Sequence, residues 1–136
     1  MRCIPALTSC CDRPFWVTRD SFYRYFDQGD FCCRESEFVV PSYLAEWFHT
    51  PEDGIARFKL PAFTFVAGNT QFINGRHRTA VLLQQRLDPV PIAFVVSDDD
   101  QKSALELLIL DNWNLRPLDL QVAIDLPDLP VMKRLP

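Results

Sequence analysis

The stretch Gln71-Phe72-Ile73-Asn74-Gly75-Arg76-His77-Arg78-Thr79-Ala80-Val81-Leu82-Leu83 decides how this chain is read. Gln71-Phe72-Ile73 has the composition of a strand, and Asn74-Gly75 turns sharply without steric penalty. Beyond Gly75 the period changes from two to about 3.6, with Ala80, Leu83, Gln84 and Leu87 on neighbouring helical rows. The junction is therefore a helix start that carries Arg76, His77 and Arg78. A helix start exposes backbone N–H groups that no carbonyl of the helix can pair, and the positive end of its dipole lies there. Both favour an anion, a phosphate above all. Gly75 lets it approach the backbone, Arg78 offers a planar fork, His77 a ring N–H and Thr79 a hydroxyl. A competing reading makes this a polar turn whose Arg76 and Arg78 pair with acids such as Glu52 or Asp53, since an arginine at a helix start opposes the dipole.

Working outward, Ala62-Phe63-Thr64-Phe65-Val66 alternates as a strand, and with residues 71–73 it predicts an antiparallel hairpin across the turn at 67–70. Downstream, Val90-Pro91-Ile92-Ala93-Phe94-Val95-Val96 is an apolar run that implies a strand buried on both faces, with Pro91 near its beginning. Ser97-Asp98-Asp99-Asp100 supplies caps for a helix over 101–110; three consecutive acids point in different directions and suit a cap better than a metal. Residues 1–14 read as irregular because Pro5 and Pro14 bracket them, and Phe15-Trp16-Val17 as a short strand. Thr18 or Asp20 caps a helix over 21–26, in which Phe22 and Phe26 share a face beside Tyr23. Phe38-Val39-Val40 reads as a strand or the approach to a helix. Ser42 then opens a helix over 43–49, with Glu46 in its first turns and His49 a solvated or capping residue at its end. After Asp111-Asn112-Trp113-Asn114 the chain alternates leucines with acids and prolines. It reads as extended or partly helical over 118–124 and then as a proline-punctuated arm.

These elements predict an α+β fold, a small mixed sheet with helices packed around it. Residues 1–136 form a single domain with an extended proline-rich C-terminal arm from about 115, which wraps its own domain or a second copy. A formal net charge of -4 disfavours non-specific DNA binding, which needs a basic footprint. The five cysteines (Cys3, Cys10, Cys11, Cys32 and Cys33) are odd in number and lack CxxC spacing. They form a poor disulfide framework and a poor zinc signature, and read as buried hydrophobes or incidental thiols. No signal pattern opens the chain and no window reaches the ~18 apolar residues of a membrane helix, so a cytoplasmic setting without membrane contact is the simplest expectation.

The segment from Phe63 to Val96 resembles the core of the ParB/sulfiredoxin superfamily. The residues that carry the likeness are Phe72-Ile73-Asn74-Gly75-Arg76-His77-Arg78-Thr79-Ala80 and Leu87-Asp88-Pro89-Val90-Pro91-Ile92-Ala93-Phe94-Val95. The resemblance implies the order strand, turn, strand, Gly-x-His-Arg tetrad, helix, strand, with the tetrad binding nucleotide phosphates. Members include CTP-binding partition proteins, ATP-dependent sulfinic acid reductases and free-serine kinases. Gly75, His77 and Arg78 match the phosphate-binding positions. Arg76 stands at the variable position, where sulfiredoxins keep a catalytic cysteine and many partition proteins an acid that supports metal-dependent hydrolysis. The chain is therefore not expected to be a sulfiredoxin, and Arg76 would replace the metal or hold a further phosphate. Kinase-like members take a catalytic carboxylate from the N-terminal half; Glu35, Glu37, Glu46, Glu52 and Asp53 are all available here.

The leading expectation is a nucleotide or other phosphorylated small molecule bound by Gly75, Arg76, His77, Arg78 and Thr79. Any catalysis would be that of a nucleotide-dependent phosphotransferase or NTPase. A nucleoside triphosphate and magnesium are the candidate cofactors, and the catalytic residue stays open. The alternative is a non-catalytic inhibitor or immunity-type interaction protein on the same fold, with a protein partner or self-association through the C-terminal arm.

Overall fold

A computed structural model describes residues 1–9, 12–25, 42–49, 54–66, 69–96, 98–110 and 114–132. In chain order the elements are β1 (Arg2–Ala6), β2 (Arg13–Val17), α1 (Arg19–Tyr25), β3 (Tyr43–Leu44), a 3-10 turn (Ala45–Trp47), β4 (Phe48–His49), β5 (Arg57–Lys59), β6 (Ala62–Val66), β7 (Asn69–Asn74), α2 (Arg76–Gln84), β8 (Val90–Phe94), α3 (Asp99–Leu110), β9 (Arg116–Pro117), β10 (Ile124–Asp125) and β11 (Val131–Met132). The fold is α+β. A five-stranded mixed sheet runs β7-β6-β8-β2-β9, a four-stranded sheet runs β10-β1-β5-β4, and β11 pairs with β3. Within the larger sheet β6 and β7 form the antiparallel hairpin, and β8 lies parallel to β6 after the α2 crossover. Helix α2 packs on β8 and α3 on β6.

The elements around the motif form as their sequence predicts. All five residues of β8 are buried, which its uninterrupted apolar run requires. Helix α1 starts where Thr18 Oγ1 accepts the Ser21 N–H at 3.2 Å, and α3 where Asp98 Oδ1 accepts the Gln101 N–H at 2.8 Å. Phe22 is fully buried and stacks edge-on against Phe63, so α1 closes over the β6 side of the sheet. Phe26 and the segment Phe38-Val39-Val40 lie outside the described residues.

Two stretches depart from the sequence expectation. The N-terminal segment is not irregular throughout: Arg2–Ala6 forms β1, and Arg13 and Pro14 open β2. β1 pairs with β10 only at Arg2 and Cys3 and with β5 from Ile4 to Ala6, so Pro5 sits where the strand has one neighbour and its missing N–H breaks no ladder. Pro14 likewise lies beyond the β2–β9 pairing at Phe15 and Trp16, and Pro91 beyond the β8–β6 pairing at Ala93 and Phe94. Strand prolines are harmless at such half-edges, a property of the sheet that local sequence does not display.

The second departure is at 43–49, which forms β3, the 3-10 turn and β4 rather than a helix. A helix this short gains little by itself. Extended backbone lets Tyr43 donate its N–H to Pro130 O and its hydroxyl to Pro127 O, while its ring meets those of Trp47, Phe48 and Phe58. The C-terminal arm is extended, one of the two conformations expected of it. Its 118–124 segment holds no helix, only a turn in which Asp119 Oδ1 accepts the Gln121 N–H. Within the chain β9, β10 and β11 pair with β2, β1 and β3, and Leu118, Ile124 and Leu126 enter the core.

Candidate functional site

β7 ends at Asn74 and α2 begins at Arg76, with Gly75 between them at φ 96°. Only glycine fits there, for two reasons. The backbone is left-handed, and a Cβ at Gly75 would lie 2.6 Å from Pro61 Cα and 2.8 Å from Arg78 Nη2. Chain packing against Pro61 and the turn itself thus both select the glycine, and the arginine fork lies directly over it. The N-cap residue, Gly75, has no side chain with which to cap α2. The first amide that the helix satisfies is Thr79 N–H, bonded to Gly75 O at 3.0 Å. The N–H groups of Arg76, His77 and Arg78 therefore come before the intrahelical ladder.

Arg78 is the unusual residue of the site. It is 4% exposed. Nη1 donates to Lys59 O at 2.8 Å, Nε has no partner, and no acid among the described residues forms an ion pair with it. Burial pushes its guanidinium down to about 10, and the nearby charge of Glu46 offsets that only in part. A buried cation without a counter-ion is costly unless an anion joins it.

Arg78 faces a cavity of about 420 Å³ lined by Leu44, Glu46, Trp47, Lys59, Asn74, Gly75, His77 and Arg78. That volume lies within the range of small-molecule sites. One wall comes from the β7–α2 junction. The other comes from the β3–β4 turn and β5, so the cavity opens between the two larger sheets. Lys59 joins the walls through its carbonyl, which holds Arg78, while its ammonium donates to Glu46 O at 3.0 Å within its own wall.

Of the residues singled out from sequence, Gly75, His77 and Arg78 meet at this cavity, with His77 exposed to solvent. Arg76 opens α2, but its side chain is outside the described set. Thr79 does not line the cavity. It is fully buried and its hydroxyl donates to Gly75 O at 3.0 Å, so it closes the first turn of its own helix and offers no hydroxyl to a ligand. Among the candidate carboxylates only Glu46 reaches the site; Glu35, Glu37, Glu52 and Asp53 lie outside the described residues. Leu44, Trp47 and Lys59 were not foreseen. They come from elements 15 or more positions upstream of Gly75, and no local spacing signals such a contact. His49 is exposed on β4 and is not part of the lining. No family model, curated protein or solved structure matches this chain.

Proposed function

We propose that this chain binds a nucleotide or another phosphorylated small molecule at the start of α2, as a ParB/sulfiredoxin-like protein of the cytoplasm. The observation that carries this reading is Arg78. It is a buried guanidinium with an unpartnered Nε, and it faces a cavity beside a helix start whose N-cap residue is a glycine. A phosphate on Gly75 would accept from the leading amides of α2 and from the Arg78 fork, with His77 and Lys59 closing the positive side. Support for the family comes from the element order: the hairpin β6–β7, the Gly-Arg-His-Arg tetrad, α2, and β8 parallel to β6. The free, buried thiol of Cys3 agrees with a reducing compartment.

The reading is one of binding. Transfer or hydrolysis of the phosphate, with or without magnesium, would be built on the same clamp, and Glu46 is the described carboxylate beside it. An interaction protein that associates through the C-terminal arm has less support, since the three arm strands already pair within the chain.

Titration calorimetry with ATP, CTP, GTP and ADP, with and without magnesium, tests the proposal. Wild type should bind at least one of them. Arg78→Ala should bind none while keeping a wild-type circular dichroism spectrum. Absence of heat with every phosphorylated ligand for the wild type would overturn it.

A further inference from the structure

β3 belongs to neither of the larger sheets. Among the described residues it pairs with β11 alone, Tyr43 opposite Val131 and Leu44 opposite Met132. Two hydrogen bonds tie Tyr43 to the arm, from its N–H to Pro130 O at 2.8 Å and from its hydroxyl to Pro127 O at 2.6 Å. The cavity wall follows at once, since Leu44 and Trp47 both line the site. The strand partner of Leu44 is thus Met132, in the last described strand of the chain. The arm is firmly anchored upstream, where Leu126 is buried and donates its N–H to Met1 O at 2.8 Å. Beyond that anchor β11 is two residues long, and both are exposed. So short an outer ladder opens at a fraction of the free energy of global unfolding. On opening, Tyr43 loses both acceptors, and its fully buried hydroxyl is hydrated only if β3 moves outward and carries Leu44 with it.

We propose that residues 127–132 form a latch on the cavity. Closed, the latch sets the Leu44–Trp47 wall against the start of α2; open, it releases that wall and with it the ligand. The coupling to a ligand rests on the phosphate-binding reading above, whereas the opening itself needs no ligand. A ligand that touches both walls binds the closed form better, and by linkage it holds the latch shut. The arm is then a point of control: a change at 127–132 alters binding at Gly75 and Arg78 without touching either.

Amide hydrogen exchange followed by NMR on the full chain tests this, with inorganic triphosphate as the ligand. The Tyr43 N–H reports the latch. The Leu60 N–H, bonded to Ala6 O at 2.9 Å in a fully buried residue, reports global opening. In the free wild type Tyr43 should exchange faster than Leu60. Triphosphate at a hundred times its dissociation constant should slow the Tyr43 amide about a hundredfold. Tyr43→Phe, which deletes the bond to Pro127 O, should speed exchange of the residue-43 amide about fivefold in the free protein. Tyr43 and Leu60 exchanging at one rate in the free protein would overturn the latch, because no opening separate from unfolding would exist. Bound triphosphate that leaves Tyr43 exchange unchanged would overturn it too, with the phosphate clamp left standing. Failure of triphosphate and of every nucleotide to give heat would overturn the coupling together with the phosphate reading. The wild-type comparisons stand even where the variant misfolds.

Discussion

Replacing Arg78 by methionine separates a ligand-binding arginine from a structural one. Burial moves the guanidinium well below its ordinary value, to about 10, which corresponds to roughly 3 kcal/mol of unfavourable charge burial in the folded state. The sign follows from the charged form. Arginine is protonated in both folded and unfolded chains at every working pH, so this cost is present throughout the neutral range and would be relieved only above about pH 10. The bond from Nη1 to Lys59 O, at 2.8 Å, returns part of it, about 1.5–3 kcal/mol for a charged donor. The two terms nearly cancel. Methionine removes the charge, fills much of the same volume and leaves the Lys59 carbonyl with one partner fewer. The Arg78→Met protein should therefore unfold in urea within about 1 kcal/mol of wild type. Inorganic triphosphate at a hundred times its dissociation constant should add about 2.7 kcal/mol to wild type and nothing to the variant. Urea is the denaturant to use, since guanidinium would compete for the anion. A loss above roughly 3 kcal/mol without ligand would refute the reasoning, because it would mark Arg78 as the partner of a buried counter-charge.

Gly75→Ala places a Cβ 2.6 Å from Pro61 Cα at a positive φ; it should cost about 3 kcal/mol in the same urea titration. Asp12 is 6% exposed with an unpartnered Oδ1, and burial raises its carboxyl above the ordinary 3.8. The folded state therefore binds its proton more readily than the unfolded chain, and the group lowers stability as pH rises through that window. Asp12→Asn should be more stable than wild type at pH 7, with the difference vanishing below about pH 3.8 in paired melting curves. Cys3 is buried, and loss of hydration pushes its thiol up to about 11. It should resist iodoacetamide at pH 8 in the folded protein and react once unfolded, as read by peptide mass mapping.

The hairpin β6–β7, the turn at Gly75, helix α2, the buried strand β8 and the Asp98 cap of α3 were legible in the chain because each is a local matter. Alternation, an Asn-Gly turn, helical periodicity and a capping carboxylate act over a few residues. Arg78 and Gly75 stood out for the same reason, since a helix start advertises itself. What tertiary structure decided is everything that depends on a distant neighbour. Pro5 and Pro14 look like strand breakers until the sheet shows each with a single partner strand. Tyr43 reads as helical until Pro127 and Pro130 supply its hydrogen bonds. Thr79 looks like a ligand residue, and only the finished helix turns its hydroxyl onto Gly75 O. Glu46, Trp47 and Lys59 reach the cavity because two sheets meet there. The α2 start could thus be read as a place for an anion from residues alone. The other wall of the site, and with it the carboxylate that faces the cation, exists only once β5 and the β3–β4 turn have packed against it.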